Sequence, residues 1–235
     1  DHAFVVGATG SNNLPLVGTP YQTAFGGIQD MVALRLDGSG NLVYSTYIGG
    51  SGQDTAFGVA ARGDTLFIAG MTTGAFPNTT APHGSNDAIV LKLDLTASPA
   101  LQYAIRMGGS SIDQARAIAV DGAENAYVIG STSSSNFPVV SPYQAASGGS
   151  QDAFIAKLDA DGVLVYSSFL GGSDIDGGQG IAVDPRGDLV YLTGSAGSPS
   201  FPTTLPALGE AQAQDAFAFI AKLDLATNTL VYSRL

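Results

Sequence analysis

The 235-residue chain contains no cysteine and no tryptophan. Without Cys there is no disulfide, no thiolate nucleophile and no thiolate-ligated metal, and the redox compartment stays open. Charge is scarce as well: Asp, Glu, Lys and Arg make up 12% of the residues, about half the usual share. Nine basic residues face twenty acidic ones, for a net charge of -11. That sign repels phosphate backbones and anionic headgroups, so nucleic acid is not an expected partner. Only two histidines occur, His2 at the terminus and His83 in a variable loop. With no His cluster and no Ser-His-Asp set in matching positions, zinc and nucleophilic chemistry have no residues to stand on. No apolar run reaches the roughly 18 residues of a spanning helix, so membrane insertion is not expected. The opening "DHAFVVGATG" has neither an initiator Met nor the basic start of a signal peptide, which fits a processed or excised piece that has lost any export signal.

What the chain has in excess is glycine, 31 residues, roughly twice the usual share. The glycines recur. "VYSTYIGGSG" begins at Val43 and "VYSSFLGGSD" at Val165, and the pairs Gly49-Gly50, Gly108-Gly109 and Gly171-Gly172 stand 59 and then 63 residues apart. Other columns keep step: Tyr44, Tyr103, Tyr166 and Tyr232; Asp37, Asp94, Asp159 and Asp224; and Pro15, Pro77, Pro138 and Pro202, the last three after Phe. The period gives four repeats of about 60 residues, approximately 1–54, 55–113, 114–176 and 177–235, in one domain. A unit of this kind cannot bury both faces alone, so neighbours must stack.

Each full unit holds four strand-like segments, here a to d, clearest in the third copy as "QGIAVD" or its equivalent, "NAYVIGST", "DAFIAKLD" and "VLVYSSFLG". They are rich in Val, Ile, Phe and Tyr and are bounded by Gly, Pro, Asn, Asp and Ser. Several are apolar on both faces, as in a sheet sandwiched between other sheets. The c-to-d links "LDADGV" and "LDGSGN" are short hairpins, so those strands are antiparallel. The b-to-c links are long and polar, the places where a contact surface is expected. The order runs b-c-d and then three times a-b-c-d, about fifteen strands, with the first blade one strand short. The expected fold is all-β, a β-propeller or another repeat array of such four-stranded units.

The unit "YS.(F/Y)(L/I)GGS..D", followed by "GIAVD", "FP" and "DAF(I/V)AKLD", resembles the bacterial SBBP-type β-propeller repeat over almost the whole chain. The resemblance implies blades set around an axis, in exported proteins with no single established activity. Three departures stand out: "NNLPL" in place of Phe-Pro, "ALQYAIRMGGS" in the second copy, and two extra residues in "DAFAFIAKLD", read as a bulge.

Candidate chemistry concentrates on carboxylates and one cationic column. Asp54, Asp113 and Asp176 share a position four residues after the second glycine, with Asp174 alongside. Such loops can hold Ca²⁺, whereas one carboxylate per loop is what a turn cap needs. Asp30, Asp87, Asp152 and Asp215 open strand c, and Arg35, Lys92, Lys157 and Lys222 form a column along it. A ring of cations facing an anionic ligand is one reading; pairing with an acid of the same or the next blade is the favoured one. The di-glycines read as a crossing from strand d to strand a that needs either a positive φ or close packing, since no helix follows them to make a phosphate cradle. Asn78-Thr79-Thr80 matches a glycosylation sequon.

Together these features point to a non-enzymatic structural or interaction module, extracellular or at the cell surface. No cofactor is expected. The partners expected are copies of itself or further repeats of a parent chain, in a filament or surface assembly. A sugar-binding lectin is one alternative, with Tyr21 and Tyr143 of "TPYQ" and "SPYQ" recurring in only two copies. A carbohydrate-active hydrolase or lyase with its site at the axis is the other, and it calls for unlike polar residues at one end of the axis.

Overall fold

A computed structural model of the chain describes residues 2–79, 83–96, 98–208 and 217–235. Fifteen strands form four antiparallel sheets, and no helix occurs among the described residues. Blade 1 is β1 (Ala3–Thr9), β2 (Asp30–Leu36) and β3 (Leu42–Ile48). Blade 2 is β4 (Asp54–Arg62), β5 (Thr65–Thr72), β6 (Asp87–Asp94) and β7 (Ala100–Met107). Blade 3 is β8 (Asp113–Val120), β9 (Ala126–Thr132), β10 (Asp152–Leu158) and β11 (Leu164–Leu170). Blade 4 is β12 (Asp176–Val183), β13 (Leu189–Ala196), β14 (Phe217–Asp224) and β15 (Thr229–Arg234). Every blade runs in sequence order, and blade 1 has no strand a among the described residues. The chain is an all-β propeller array.

Strands apolar on both faces are explained by the stacking. Strand a of each blade lies over strands b and c of the blade before it: β4 on β1 and β2, β8 on β5 and β6, β12 on β9 and β10. Three apolar layers result. Met31, Ala33, Tyr44 and Ile48 meet Leu66, Ile68, Phe76 and Leu91 between blades 1 and 2. Phe67, Val90, Tyr103 and Met107 meet Val128, Phe137, Phe154 and Phe169 between blades 2 and 3. Tyr127, Ile129, Ile155, Tyr166 and Leu170 meet Val190, Leu192, Phe201 and Phe219 between blades 3 and 4. The Phe of the Phe-Pro motif is part of this packing, Phe137 lying 4.5 Å from Phe154 and Phe201 4.7 Å from Phe219. Each such layer removes large aromatic and aliphatic area from water, the main favourable contribution to the fold.

Two irregularities recur. Strands c and d slip register after the cation of the column, between Arg35 and Leu36, Lys92 and Leu93, Lys157 and Leu158, and Lys222 and Leu223. Strands a and b slip between Ala56 and Gly58, Ala115 and Ala117, and Gly178 and Gly180. The slip in β14 thus lies in the column shared by all blades, while the bulge expected from the two extra residues of "DAFAFIAKLD" falls outside the described residues. Asp215 falls there too, in the stretch 209–216.

The long b-to-c loops have a job of their own. In blades 1 and 3 Gln22 bridges to Tyr47 and Gln144 to Phe169, antiparallel to strand d. In blade 4 the amides of Thr204 and Leu205 donate to the carbonyl of Ser233. The loops thus cover the outer strand of the blade, an edge that would otherwise invite pairing.

Candidate functional site: blade junctions and an inner cleft

At each crossing from strand d to the next strand a, the first glycine packs against a buried carboxylate, and at two of the three crossings it lies between a pair of them. A methyl group on Gly49 would stand 2.6 Å from the carboxyl carbon of Asp30 and 2.9 Å from Oδ2 of Asp54. Gly108 lies in the same way between Asp87 and Asp113, and Gly171 against Asp152. None of these glycines has a positive φ, so the column is glycine for close approach and not for backbone conformation. Oδ2 of Asp54, Asp113 and Asp176 accepts the amide of the second glycine at 2.7, 2.8 and 2.7 Å. These three aspartates are turn caps. Asp174 is exposed, and its amide donates to Ser198 Oγ. Among the described residues no three acidic or histidine side chains converge on a point.

The c-strand aspartates cap the end of the b-to-c loop: Oδ2 of Asp30, Asp87 and Asp152 accepts the amides of Gly26, His83 and Gly148. In blades 1 and 3 the glutamine of "PYQ" completes the crossing, Gln22 and Gln144 accepting the amides of Gly49 and Gly171 at 3.0 and 3.1 Å. Gln22 also donates to Asp30 Oδ2 at 3.0 Å. Blade 2 has no such glutamine. There Arg106, in a column held by Tyr47 and Phe169 elsewhere, donates to Asp87 Oδ2 at 2.8 Å in an ion pair with both side chains fully buried. The odd "AIRM" of the second copy is the replacement for the missing Gln. Tyr21 and Tyr143 each lie in the loop of their glutamine, their backbone amides donating to the hydroxyls of Tyr44 and Tyr166.

Burial pushes the carboxyls of Asp30, Asp54, Asp113 and Asp152 above the ordinary range. The neighbouring carboxylate adds to it in three of them: Asp30 beside Asp54, Asp87 beside Asp113, and Asp176 beside Asp152. The donated hydrogen bonds work in the other direction.

The cationic column is built into the blades and their junctions. Each cation sits over the aromatic residue paired with it on strand b: Arg35 over Phe4, Lys92 over Phe67, Lys157 over Tyr127 and Lys222 over Tyr191, at 5.0 to 5.8 Å. Three then reach the a-to-b turn of the next blade. Arg35 pairs with Asp64 at 2.8 Å, Lys92 with Glu124 at 2.8 Å, and Lys157 Nζ donates to the Gly187 carbonyl at 3.4 Å.

One column is not uniform. The residue pushed out of register in strand a is Phe57 in β4, Arg116 in β8 and Gln179 in β12, on the inner side of the array. The flanking positions are all Ala or Gly, so the sequence signal was a column of unlike residues between matched small ones. Arg116 is exposed and lies 4.5 Å over the Phe57 ring. Phe57, Arg116 and Gln179 line a cleft of about 460 Å³, together with Ser131, Gln151 and Ser195.

Residues 102–138 match the SBBP beta-propeller repeat family. The chain carries an SBBP repeat. The matched stretch starts in β7 and ends at Pro138 beyond β9, so it straddles blades 2 and 3 and contains one whole junction. No curated protein sequence matches the chain. Among solved structures, hydrazine synthase of Kuenenia stuttgartiensis is similar at 9% identity and a TM-score of 0.38, over 83% of this chain and 59% of that one. The chain thus spans less than two thirds of that protein, and a likeness at this level carries no argument about activity.

Proposed function

We propose that the chain is an exported, non-enzymatic structural and interaction module, and that the open back face of blade 4 takes strand a of a further SBBP-type repeat. Export rests on the family resemblance alone. The contact rests on one observation: blade 4 exposes the residues that the other blades bury. Tyr127 and Ile155 are 0% and 1% exposed beneath β12, while Tyr191 and Ile220, in the same columns, are 40% and 50% exposed. Tyr232 is half-buried where Tyr44, Tyr103 and Tyr166 are buried. Lys222 stands over Tyr191 as Lys157 stands over Tyr127, facing the place where the next a-to-b turn would offer its carbonyl or carboxylate. Blade 1 of a second copy has no strand a among the described residues to lay there, and the fitting occupant is strand a of a further repeat.

A chain carrying residues 170–235 again after Leu235 tests this, because Leu235 falls in the column of Phe169 and the register continues. Ile220→Lys is expected to be neutral in the 235-residue chain and to cost about 2 kcal/mol in the extended one. Equal neutrality in both would overturn the contact. Dimers of the 235-residue chain that Ile220→Lys dissolves would assign the face to a second copy and overturn the choice of occupant.

A further inference from the structure

The inner cleft exists because the third junction has lost side chains that the others keep. In the column where Gly177 stands, blade 2 has Thr55 and blade 3 has Gln114, and Thr55 Oγ1 accepts a hydrogen bond from Gln29 at 2.8 Å. Gln151 occupies the column of Gln29, but with no side chain at 177 its amide turns to the Asp176 carbonyl at 3.3 Å. Met71 of blade 2, whose sulfur meets Asn86 and Gln114, is replaced by Ser131 and Ser195. A methyl group on Gly177 would point into the gap, 3.6 Å from Ser195 Oγ, 3.7 Å from Gln151 Nε2 and 3.9 Å from Ser131. Small residues thus open a space that the same fold fills elsewhere.

The rim of that space carries a cation with no acid of its own. Arg116 donates to Gln114 and has no carboxylate partner among the described residues, while Phe57 supports one face of its guanidinium. A guanidinium held in this way presents a planar fork, the geometry that takes a carboxylate through two parallel hydrogen bonds. Around it are Gln151, Gln179, Ser131 and Ser195, neutral groups that both donate and accept, the complement of a hydroxylated ring. A chain of net charge -11 repels densely charged anions but tolerates one carboxylate per ring. We propose that the cleft between β4, β8 and β12 is a binding site for an acidic saccharide, with the uronate carboxylate on Arg116 and the ring hydroxyls on the Ser and Gln groups. The site is independent of the back face of blade 4.

Titration of the 235-residue chain with digalacturonate, followed by calorimetry, tests the proposal. Wild type is expected to bind. Arg116→Gln is expected to lose about tenfold in affinity or more, the size of a charge-assisted pair, and Gly177→Thr, which restores the residue of blade 2, is expected to abolish binding. Arg116 is exposed, so its variant keeps the wild-type melting temperature and remains informative if the Gly177 variant does not fold. No binding by wild type at 10-fold millimolar excess, or unchanged affinity in Arg116→Gln, would overturn the site. Equal binding of the methyl-esterified disaccharide would overturn the carboxylate assignment, and displacement by inorganic phosphate at equal concentration would reduce the site to an unspecific anion contact and overturn the saccharide.

Discussion

Blades 2 and 3 are built on the same columns yet hold the c-strand aspartate by different means. In blade 3 Asp152 caps a loop, and the neutral amide of Gln144 ties that loop to the glycine crossing. In blade 2 Asp87 is held by a buried guanidinium from strand d. The difference teaches that what the junction conserves is the closing of the loop onto strand d, and that either a neutral or an ionic donor set can do it. The two solutions differ in what is left behind when they are broken. Removing a neutral hydrogen bond costs its modest net value, whereas removing one member of a buried ion pair leaves a charge without compensation.

The largest expected effect follows from that contrast. Arg106→Phe, which installs the residue of blade 3, is expected to destabilise the chain by about 3 to 5 kcal/mol. Gln144→Ala in blade 3 is expected to cost about 1 kcal/mol. Denaturant titration of both variants measures the ratio. The double variant Arg106→Phe, Asp87→Asn is expected to recover most of the loss, because the uncompensated charge is gone. Equal costs for the two single variants would mean that the ion pair is no more than another loop tether.

A smaller effect separates the buried carboxylates from the exposed ones. Asp30, Asp54, Asp113 and Asp152 have folded-state values raised above the unfolded ones, first of all by burial. Their ionised forms oppose folding at neutral pH, and the opposition shrinks as pH falls through the raised values. Asp37, Asp184 and Asp224 are lowered, chiefly by hydrogen bonds from the Asn41 side chain and from the amides of Leu189 and Thr227. They stabilise above the unfolded value, and this is lost as pH falls through their folded values. The melting temperature should therefore rise from neutral pH into the mildly acidic range and fall at lower pH. Asp54→Asn keeps an acceptor for Gly50 and should flatten the rise. A melting temperature that only falls from pH 7 downward would contradict the assignment.

The columns that gave the fold are those with a packing or capping duty in every blade. The strands, the blade order and the turn-capping aspartates were legible because each is stated three or four times in the chain, and the three-stranded first blade because it departs from that repetition. What was not legible depends on pairs or on register. Arg106 was visible as a departure, but its partner Asp87 is 19 residues away and is reached only across the antiparallel ladder. The unlike column Phe57, Arg116 and Gln179 is defined by a bulge, and although it stands out between matched Ala and Gly positions, a one-residue slip hides which face those residues take. The open face of blade 4 could not be read either, because its residues are as apolar as those of the faces that are covered.

The smallest effect tests whether the cationic column serves packing or a ligand, and it uses blades 3 and 4 as each other's control. Lys157 and Lys222 both lie over a tyrosine, at 5.0 and 5.4 Å. Lys157 alone of the two also reaches a turn of the next blade, the Gly187 carbonyl. Methionine keeps an unbranched apolar stem and a favourable contact with the ring, and loses the charge and the donor. Lys157→Met should therefore lower stability by about 1 kcal/mol, or about 2 to 4 °C in melting temperature for a chain of this size. Lys222→Met should lower it by less, since only the contact with Tyr191 is lost. Binding of digalacturonate should be the same in both variants as in wild type, because neither lysine lines the inner cleft. If Lys157→Met melted as wild type does but bound an anionic ligand more weakly, the column would be a ring of ligand-facing cations and its place in the blade junction incidental.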